Sequence, residues 1–302
     1  MSLPLKELIR IGEKQLADAG VADAAPDAKS LYCFMDKLDS VGLMMHWQDV
    51  LADNICEEYF DLVERRASGE PLQYITGKQA FMGLEFMVNP SVLIPRQDTE
   101  TMVEDAIEVI TKGTLRGMDY AKGQNIKDVL DLCCGSGAIG ISIAKLCEKT
   151  KVVCSDISDE ALVVANHNAR VNGCKNLKIQ KSDLFESFSG KLGNKKFDMI
   201  ISNPPYIKSD VIPKLQREVK DHEPLLALDG GRDGLDFYRR IVKEAASHLQ
   251  KEGILMMEIG WDQGSTLLKM LEETQNFEKI GCLKDLAGRD RIVIAQLKKK
   301  NK

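Results

Sequence analysis

None of the eight cysteines forms a C-x-x-C pair, and His46, His167, His222 and His248 lie too far apart for shared ligand spacing. These absences exclude the usual zinc and disulfide frameworks, so the thiols are expected to be reduced and mostly buried and no metal is expected. No apolar run approaches the roughly 18 residues that cross a bilayer, and the opening MSLPLKELIRIGEKQ lacks the basic-then-apolar layout of a secretory signal. A cytoplasmic protein without membrane attachment is expected. Basic charge is not in excess either: 41 Lys and Arg stand against 46 Asp and Glu, a formal net charge of -5. Long nucleic acid is normally held by a basic surface, so no stable nucleic-acid binding is expected, although a local basic patch stays open. The closing LKKKNK reads as a solvated tail.

What is present is a chain of 302 residues, 44% of them hydrophobic, enough for two domains with full cores. Residues 4 to about 68 carry apolar positions at helical spacing, among them Leu5, Leu8, Ile9 and Leu16, then Leu51, Ile55, Tyr59, Leu62 and Arg66. Ser68-Gly69 and then Pro71 end that pattern. The stretch PLQYITGKQAFMGLEFMVNP changes to short aromatic and β-branched runs broken by glycine, which predicts a β-hairpin. The expected organisation is a helical substrate-recognition domain over 1–70, a hairpin connector over 71–94 and a second domain over 95–302.

From residue 95 strand-like runs alternate with helical patterns. DVLDLCC, VVCSD, LKIQ, FDMIIS, ILMMEI and RIVIAQL are the strands, with helices over 138–148, 159–172, 234–249 and 263–274. Such alternation predicts an α/β fold in which helices cover both faces of a parallel sheet. Polar inserts at 111–125 and 187–196 read as surface loops. Ligands in these sheets bind beyond the carboxyl ends of the strands, so the residues that follow each strand matter most.

After the first strand comes Asp131-Leu-Cys133-Cys134-Gly135-Ser136-Gly137-Ala-Ile-Gly140, which satisfies G-x-G-x-x-G in its strand-turn-helix setting. Asp156 closes the next strand and offers two acceptors for ribose hydroxyls. A nucleoside-containing cofactor follows, but this motif alone separates neither NAD from S-adenosylmethionine nor a ribose acid from a helix cap. Asp183 after the third strand either accepts from an adenine amino group, with Leu184 or Phe185 packed on the ring, or caps a turn.

The fourth strand ends in Asn203-Pro204-Pro205-Tyr206. Two prolines fix φ and donate no hydrogen bond, so the segment leaves the sheet as a stiff extended loop whose carbonyls are free to accept. The Pro204 carbonyl and the Asn203 side-chain oxygen together suit the two N–H bonds of one planar NH2 group, with Tyr206 as a flat face against it. Amide and aromatic-amine nitrogens are weak nucleophiles that no side-chain base deprotonates beforehand. Lining such a nitrogen up with an electrophilic methyl, with acceptors ready for the developing positive charge, is the available route.

With these motifs in place the chain resembles the class I S-adenosylmethionine-dependent methyltransferases, and within them the HemK/PrmC-type protein-(glutamine-N5) methyltransferases. The resemblance spans nearly the whole chain, including PLQYITGKQAFMGLEFMVNPSVLIPRQDTE, the glycine loop, NPPYI and REVKDHEPLLALDGGRDGLDFYRRI. It implies a Rossmann-like domain with a mostly parallel seven-stranded sheet whose last strand is antiparallel, S-adenosylmethionine as methyl donor, and the Gly-Gly-Gln glutamine of peptide chain release factors as acceptor. It also implies that Cys133 to Gly137 lie along the methionine part of the cofactor, with Asp156 on the ribose and Leu184 beside the adenine. Asn203 to Tyr206 would hold the glutamine amide, and Arg96, Thr99 and Glu100 would lie near the methyl donor. Three positions depart from the commoner family pattern. Cys133 replaces a glycine and permits close approach provided its φ is negative, Gln97 replaces a proline and loosens its loop, and Leu184 replaces an aromatic residue.

Other readings of the same residues stay open. Arg96, Thr99 and Glu100 equally suit a helix start, with Thr101 and Glu104 as a capping box. Glu258 either faces the cleft or pairs with a charge in the sheet, and Cys133 and Cys134, adjacent on a strand, point to opposite faces as packing residues. A glutamine of a ribosomal protein would suit the same holder, as would adenine N6 or guanine N2 in DNA or rRNA. An NAD-dependent oxidoreductase accounts for the glycine loop but leaves NPPY unexplained, and a non-catalytic cofactor-binding module leaves the amide holder without a use.

Overall fold

The structure is a computed structural model that describes residues 2–121, 125–190 and 194–299. The end of the basic tail and parts of both polar inserts therefore lie outside the described residues. The chain forms two compact units, one of residues 1–78 together with 215–222, the other of 79–214 and 223–302.

The first unit is helical. A two-residue strand β1 (Leu3–Pro4) precedes α1 (Leu5–Asp18), α2 (Ala24–Asp36) and α3 (Ser40–Met45); strand β2 (Val50–Leu51) pairs back on β1, and α4 (Asp53–Ala67) and α5 (Leu72–Thr76) follow. The apolar stripe seen in the sequence closes its core: Leu5, Leu8, Leu16, Leu31, Tyr59 and Val63 are fully buried. Arg66, which keeps helical step with that stripe, is buried as a charge: its Nε donates to Asp27 at 2.7 Å and its Nη2 to Glu218 at 2.8 Å. Glu218 comes from the distant segment 215–222, so this unit is completed by a piece of chain that follows NPPY.

The hairpin β3 (Lys78–Phe81) and β4 (Leu84–Met87) follows, and the second unit begins within its first strand at Gln79. The hairpin is shorter than the expected one, because Leu72–Thr76 continues the helical pattern until Gly77 ends it at φ 72°. Met82 and Gly83 both have positive φ, as the twist-matched two-residue hairpin turn requires. Helix α6 (Gln97–Lys112) follows, then a small hairpin β5 (Thr114–Leu115) and β6 (Met118–Asp119) where a surface loop was expected, with Leu115 and Tyr120 buried under it.

The main sheet runs through β7 (Asp128–Leu132), α7 (Ala138–Leu146), β8 (Lys151–Asp156), α8 (Asp159–Val171), β9 (Leu177–Lys181) and β10 (Phe197–Ser202). The short helices α9 (Arg217–Lys220) and α10 (Leu225–Leu228) come next. Then follow α11 (Asp236–His248), β11 (Leu249–Glu258), α12 (Gly264–Glu273), β12 (Phe277–Lys284) and β13 (Asp290–Leu297). Strand order is β12-β13-β11-β10-β7-β8-β9, with β13 antiparallel to both its neighbours and the rest parallel. The expected seven-stranded sheet with an antiparallel last strand is therefore present, and separate apolar cores fill its two faces. From β7 the chain builds outward through β8 and β9, then crosses back to build β10 and β11 on the other side. That reversal opens a crevice at the carboxyl ends of β7 and β10. Among the described residues no helix is long and apolar enough to cross a membrane.

Candidate active site

Register places the site. Leu132 of β7 pairs with Ser155 of β8 and with Ser202 of β10, and Ser202 pairs with Met257 of β11. The next residue of each strand or turn, Asp156, Cys133, Asn203 and Glu258, therefore stands in one row along the edge of the sheet. A cavity of about 380 Å³ opens over Asp156, Cys133 and Asn203 of that row, within the range of small-molecule and cofactor sites.

One wall is the glycine loop. Strand β7 stops at Leu132, so the alternation that would turn Cys133 and Cys134 to opposite faces does not reach them, and both line the cavity. The loop coils through φ values of 59° at Cys133, 53° at Gly135 and 81° at Gly137. The expected negative φ at Cys133 is thus corrected: the residue that replaces a glycine keeps the left-handed backbone a glycine would adopt, at a cost of about 1–2 kcal/mol. A Cβ built on Gly135 meets nothing within 4 Å, whereas one on Gly140 would sit 2.3 Å from Cys154 Sγ and 2.9 Å from Asp131 Oδ2. The first glycine leaves room over the loop and the last lets α7 lie against the sheet. Gly137 begins α7 and is not part of the cavity wall.

Asp156 faces the cavity while Oδ2 accepts from Gly135 N at 2.9 Å and Oδ1 from Ser158 N at 3.0 Å. Burial raises its pKa against those hydrogen bonds. It fixes the loop, and each oxygen keeps a lone pair for another donor. Beneath it lies Asp131, wholly buried, which accepts from Gly140 N through Oδ2; burial pushes it up to about 7.

At the far end Ile157, 45% exposed, faces the cavity with Leu184, Phe237 and the Asp183–Arg240 ion pair of 2.7 Å. Leu184 takes a positive φ of 47°.

The opposite wall is NPPY. Asn203 and Pro205 line the cavity; Pro204 is buried, and the half-buried Tyr206 turns its hydroxyl to Glu258 Oε1 at 3.4 Å. The segment is clamped along its backbone. Gln263 Nε2 donates to Tyr206 O at 3.1 Å, Ile207 N donates to Leu228 O, and Gly230 N donates to Ile207 O. A Cβ at Gly230 would lie 2.7 Å from Tyr206 Cα, so the LDGG segment has to be glycine-rich to pack there.

Of the three residues before and within α6, Arg96 and Thr99 line the cavity and Glu100 does not. Arg96 donates to both oxygens of the buried Glu223 at 2.6 Å, and Asn203 Nδ2 donates to Thr99 Oγ1 at 3.3 Å. Glu100 instead accepts from Met82 N in the hairpin turn. The expected capping box at Thr101 and Glu104 is absent, because α6 starts at Gln97, four residues earlier. Gln97 opens the helix as an exposed residue and not as part of a loosened loop.

Ile157, Phe237, Arg240 and Gln263 escaped the sequence reading. The rule that ligands sit beyond strand ends would have found Ile157, which follows Asp156 directly; the others come from segments whose proximity only the fold supplies. All eight cysteines are free, four buried and four half-buried, and among the described residues no three His, Cys, Asp or Glu side chains gather in a way that would hold a metal ion.

The chain is similar to known proteins in both of its parts. Residues 7–77 match the PrmC N-terminal domain and residues 107–220 the methyltransferase small domain. The chain is 42% identical over 270 residues to the release factor glutamine methyltransferase of Clostridium acetobutylicum, covering 89% of this chain and 90% of that one. To the enzyme of the same name from Geobacter sulfurreducens it is 41% identical over 278 residues, covering 92% and 91%. Among solved structures, the hMettl16 catalytic domain in complex with the MAT2A 3'UTR hairpin 6 superposes with a TM-score of 0.53 at 15% identity, over 84% of this chain and 86% of that one.

Proposed function

Since the chain belongs to the release factor glutamine methyltransferase family, we propose that it transfers a methyl group from S-adenosylmethionine to the side-chain amide nitrogen of a protein glutamine, that of Gly-Gly-Gln in a peptide chain release factor. The observation that carries the reading is the row of strand ends, which sets an NH2-accepting loop beside a loop suited to a nucleoside cofactor.

The residues present fit that cofactor. Gly135 has open space where a side chain would project, Asp156 offers lone pairs to ribose hydroxyls, and Ile157, Leu184 and Phe237 give apolar faces for a flat base. Asp183, tied to Arg240 through Oδ1, has Oδ2 for an exocyclic amino group. The Cys133–Ser136 backbone and Arg96 would border the methionine part. When bound, the cofactor supplies an electrophilic methyl on a sulfonium.

Asn203 Oδ1 and the Pro204 carbonyl accept the two N–H bonds of the glutamine amide, and the Tyr206 ring supports its plane. As the N–C bond forms and the methyl–sulfur bond breaks, the positive charge would pass from the sulfonium to the nitrogen, both acceptors would strengthen toward it, and loss of one N–H proton to water would leave the neutral N-methyl amide. The C-terminal side of the sheet thus contributes orientation and electrostatics, with no protein nucleophile. A release factor as substrate places the enzyme in the cytoplasm.

Incubation with S-adenosylmethionine and an unmodified release factor, followed by tandem mass spectrometry, tests the proposal. One methyl on the Gly-Gly-Gln glutamine is expected. Methyl appearing only on another protein glutamine, or on a nucleobase in added RNA or DNA, would overturn the choice of substrate. Asn203→Ala is expected to bind S-adenosylmethionine with Kd within about twofold while kcat falls on the order of 10²-fold or more, in line with removal of a transition-state hydrogen-bond partner.

A further inference from the structure

A chain of side chains behind the amide holder ends on a buried carboxyl that is not part of the cavity wall. Asn203 Nδ2 donates to Thr99 Oγ1 at 3.3 Å, and the Thr99 hydroxyl neighbours the Glu258 carboxyl closely enough to favour its charged form. Tyr206 Oη donates to the same carboxyl. Thr99 is 4% exposed and Glu258 1%, and Glu258 Oε2 has no hydrogen-bond partner among the described residues.

The chemistry of this chain has a direction. An ionised carboxylate only accepts, so its unpartnered oxygen draws the single Thr99 proton toward Glu258, while the Thr99 oxygen meets Asn203 Nδ2 with lone pairs. Lone pairs accept the NH2 end of the Asn203 amide and reject its oxygen. The Asn203 oxygen is therefore the atom left for the cavity. A flipped amide would set one NH2 against another, two donors with nothing between them to accept.

We infer that Thr99 and Glu258 are positioning residues that hold the Asn203 amide with its oxygen toward the substrate nitrogen. The inference rests on Asn203 as the amide holder and adds what decides its orientation. Tyr206 is fixed by the same carboxyl, so one buried acid orders both the acceptor and the flat face.

Protonation of Glu258 would reverse the direction. The groups that face it are Tyr206 and Tyr238, the Arg291 guanidinium, Asp98 and Thr99. Burial pushes the carboxyl up to about 7 against the opposing pull of Thr99 and Arg291. A protonated carboxyl can donate to Thr99, which then donates to Asn203 and favours the flipped amide. Turnover should therefore fall as pH drops through about 7.

The first test needs no turnover. In the protein alone, hydrogen exchange of the Asn203 side-chain NH2, followed by NMR, should show one proton protected about tenfold or more over a free amide. Thr99→Val should lose that protection and Thr99→Ser should keep it. With release factor, Thr99→Val should lower kcat about 30-fold, an order set by mispositioned acceptors, with KM for the release factor and Kd for S-adenosylmethionine within about twofold. Thr99→Ser should recover most of the rate. Glu258→Gln should flatten the acid limb of the pH profile. An unprotected Asn203 amide in the wild type, wild-type kcat in Thr99→Val, or a loss confined to cofactor affinity would each overturn the inference. A protected amide in a protein that methylates no release factor would sink the functional reading and leave the orientation standing.

Discussion

Cys133 carries a conformation that its side chain does not favour. Its φ of 59° costs a non-glycine residue about 1–2 kcal/mol, and Cys133→Gly would remove that while adding about 0.5–1 kcal/mol of unfolded-state entropy. The two nearly cancel, so the midpoint of thermal unfolding should move by no more than about 4 °C, the shift that about 1 kcal/mol gives a protein of this size or smaller. Cys133→Val puts a β-branched residue in the same backbone and should be clearly less stable; calorimetry of the pair separates strain from packing. The residue scale is also where the sequence told most about the site. The glycine loop, Asp156 and Asn203 were legible because their chemistry sits in contiguous motifs. Glu258 has two readings in the sequence, because what decides between them is the pairing of Ser202 with Met257, a fact of register and not of local sequence.

Gly140 and Asp131 join a helix to a strand. Gly140 N donates to Asp131 Oδ2 at 2.9 Å, and no Cβ fits between α7 and Cys154. Gly140→Ala should destabilise the protein by about 1–3 kcal/mol, the usual cost of overpacking, read as a lower urea midpoint. Asp131 adds a pH dependence of definite sign. Its pKa rises from the ordinary value of 3.8 to about 7 on folding, first because it is buried. The folded protein then holds a proton that the unfolded chain has released, so the contribution is full below pH about 4 and is lost as pH rises to about 7. Three pH units correspond to about 4 kcal/mol. Urea unfolding of wild type and Asp131→Asn from pH 5 to 8 should show a shallower decline in the variant. Among the elements, β12 was missed because it is an edge strand whose residues are mostly half-buried or exposed, and FEKIGCLK lacks the apolar run that marked the inner strands. By sequence residues 72–76 belong to the hairpin, since Tyr74 and Ile75 suit a strand, but Gly77 closes a helix turn there.

At the scale of the molecule, the helical pattern before residue 70 and the strand-helix alternation after 95 were both legible, since burial imposes periods of 3.6 and 2 on the sequence. Nothing in either pattern says that residues 215–222 belong with the helical unit. The signal was Arg66, a charge on an apolar stripe that needs buried partners from elsewhere. Its side chain is 6% exposed between Asp27 and Glu218. Arg66→Ala leaves Asp27 buried without its cation and should cost about 3–5 kcal/mol, seen as faster amide exchange across α2 and α4, while Glu218→Gln, at the more exposed end, should cost much less.

That late partner sets an order in time. The ribosome makes α1 to α5 first, yet Arg217–Lys220 emerges roughly ten seconds later at about 5–20 residues per second. Until then the nascent helices hold Arg66 against Asp27 and the Glu70 carbonyl, without Glu218. The amino-terminal unit, first to be synthesised, is completed only after NPPY has left the exit tunnel.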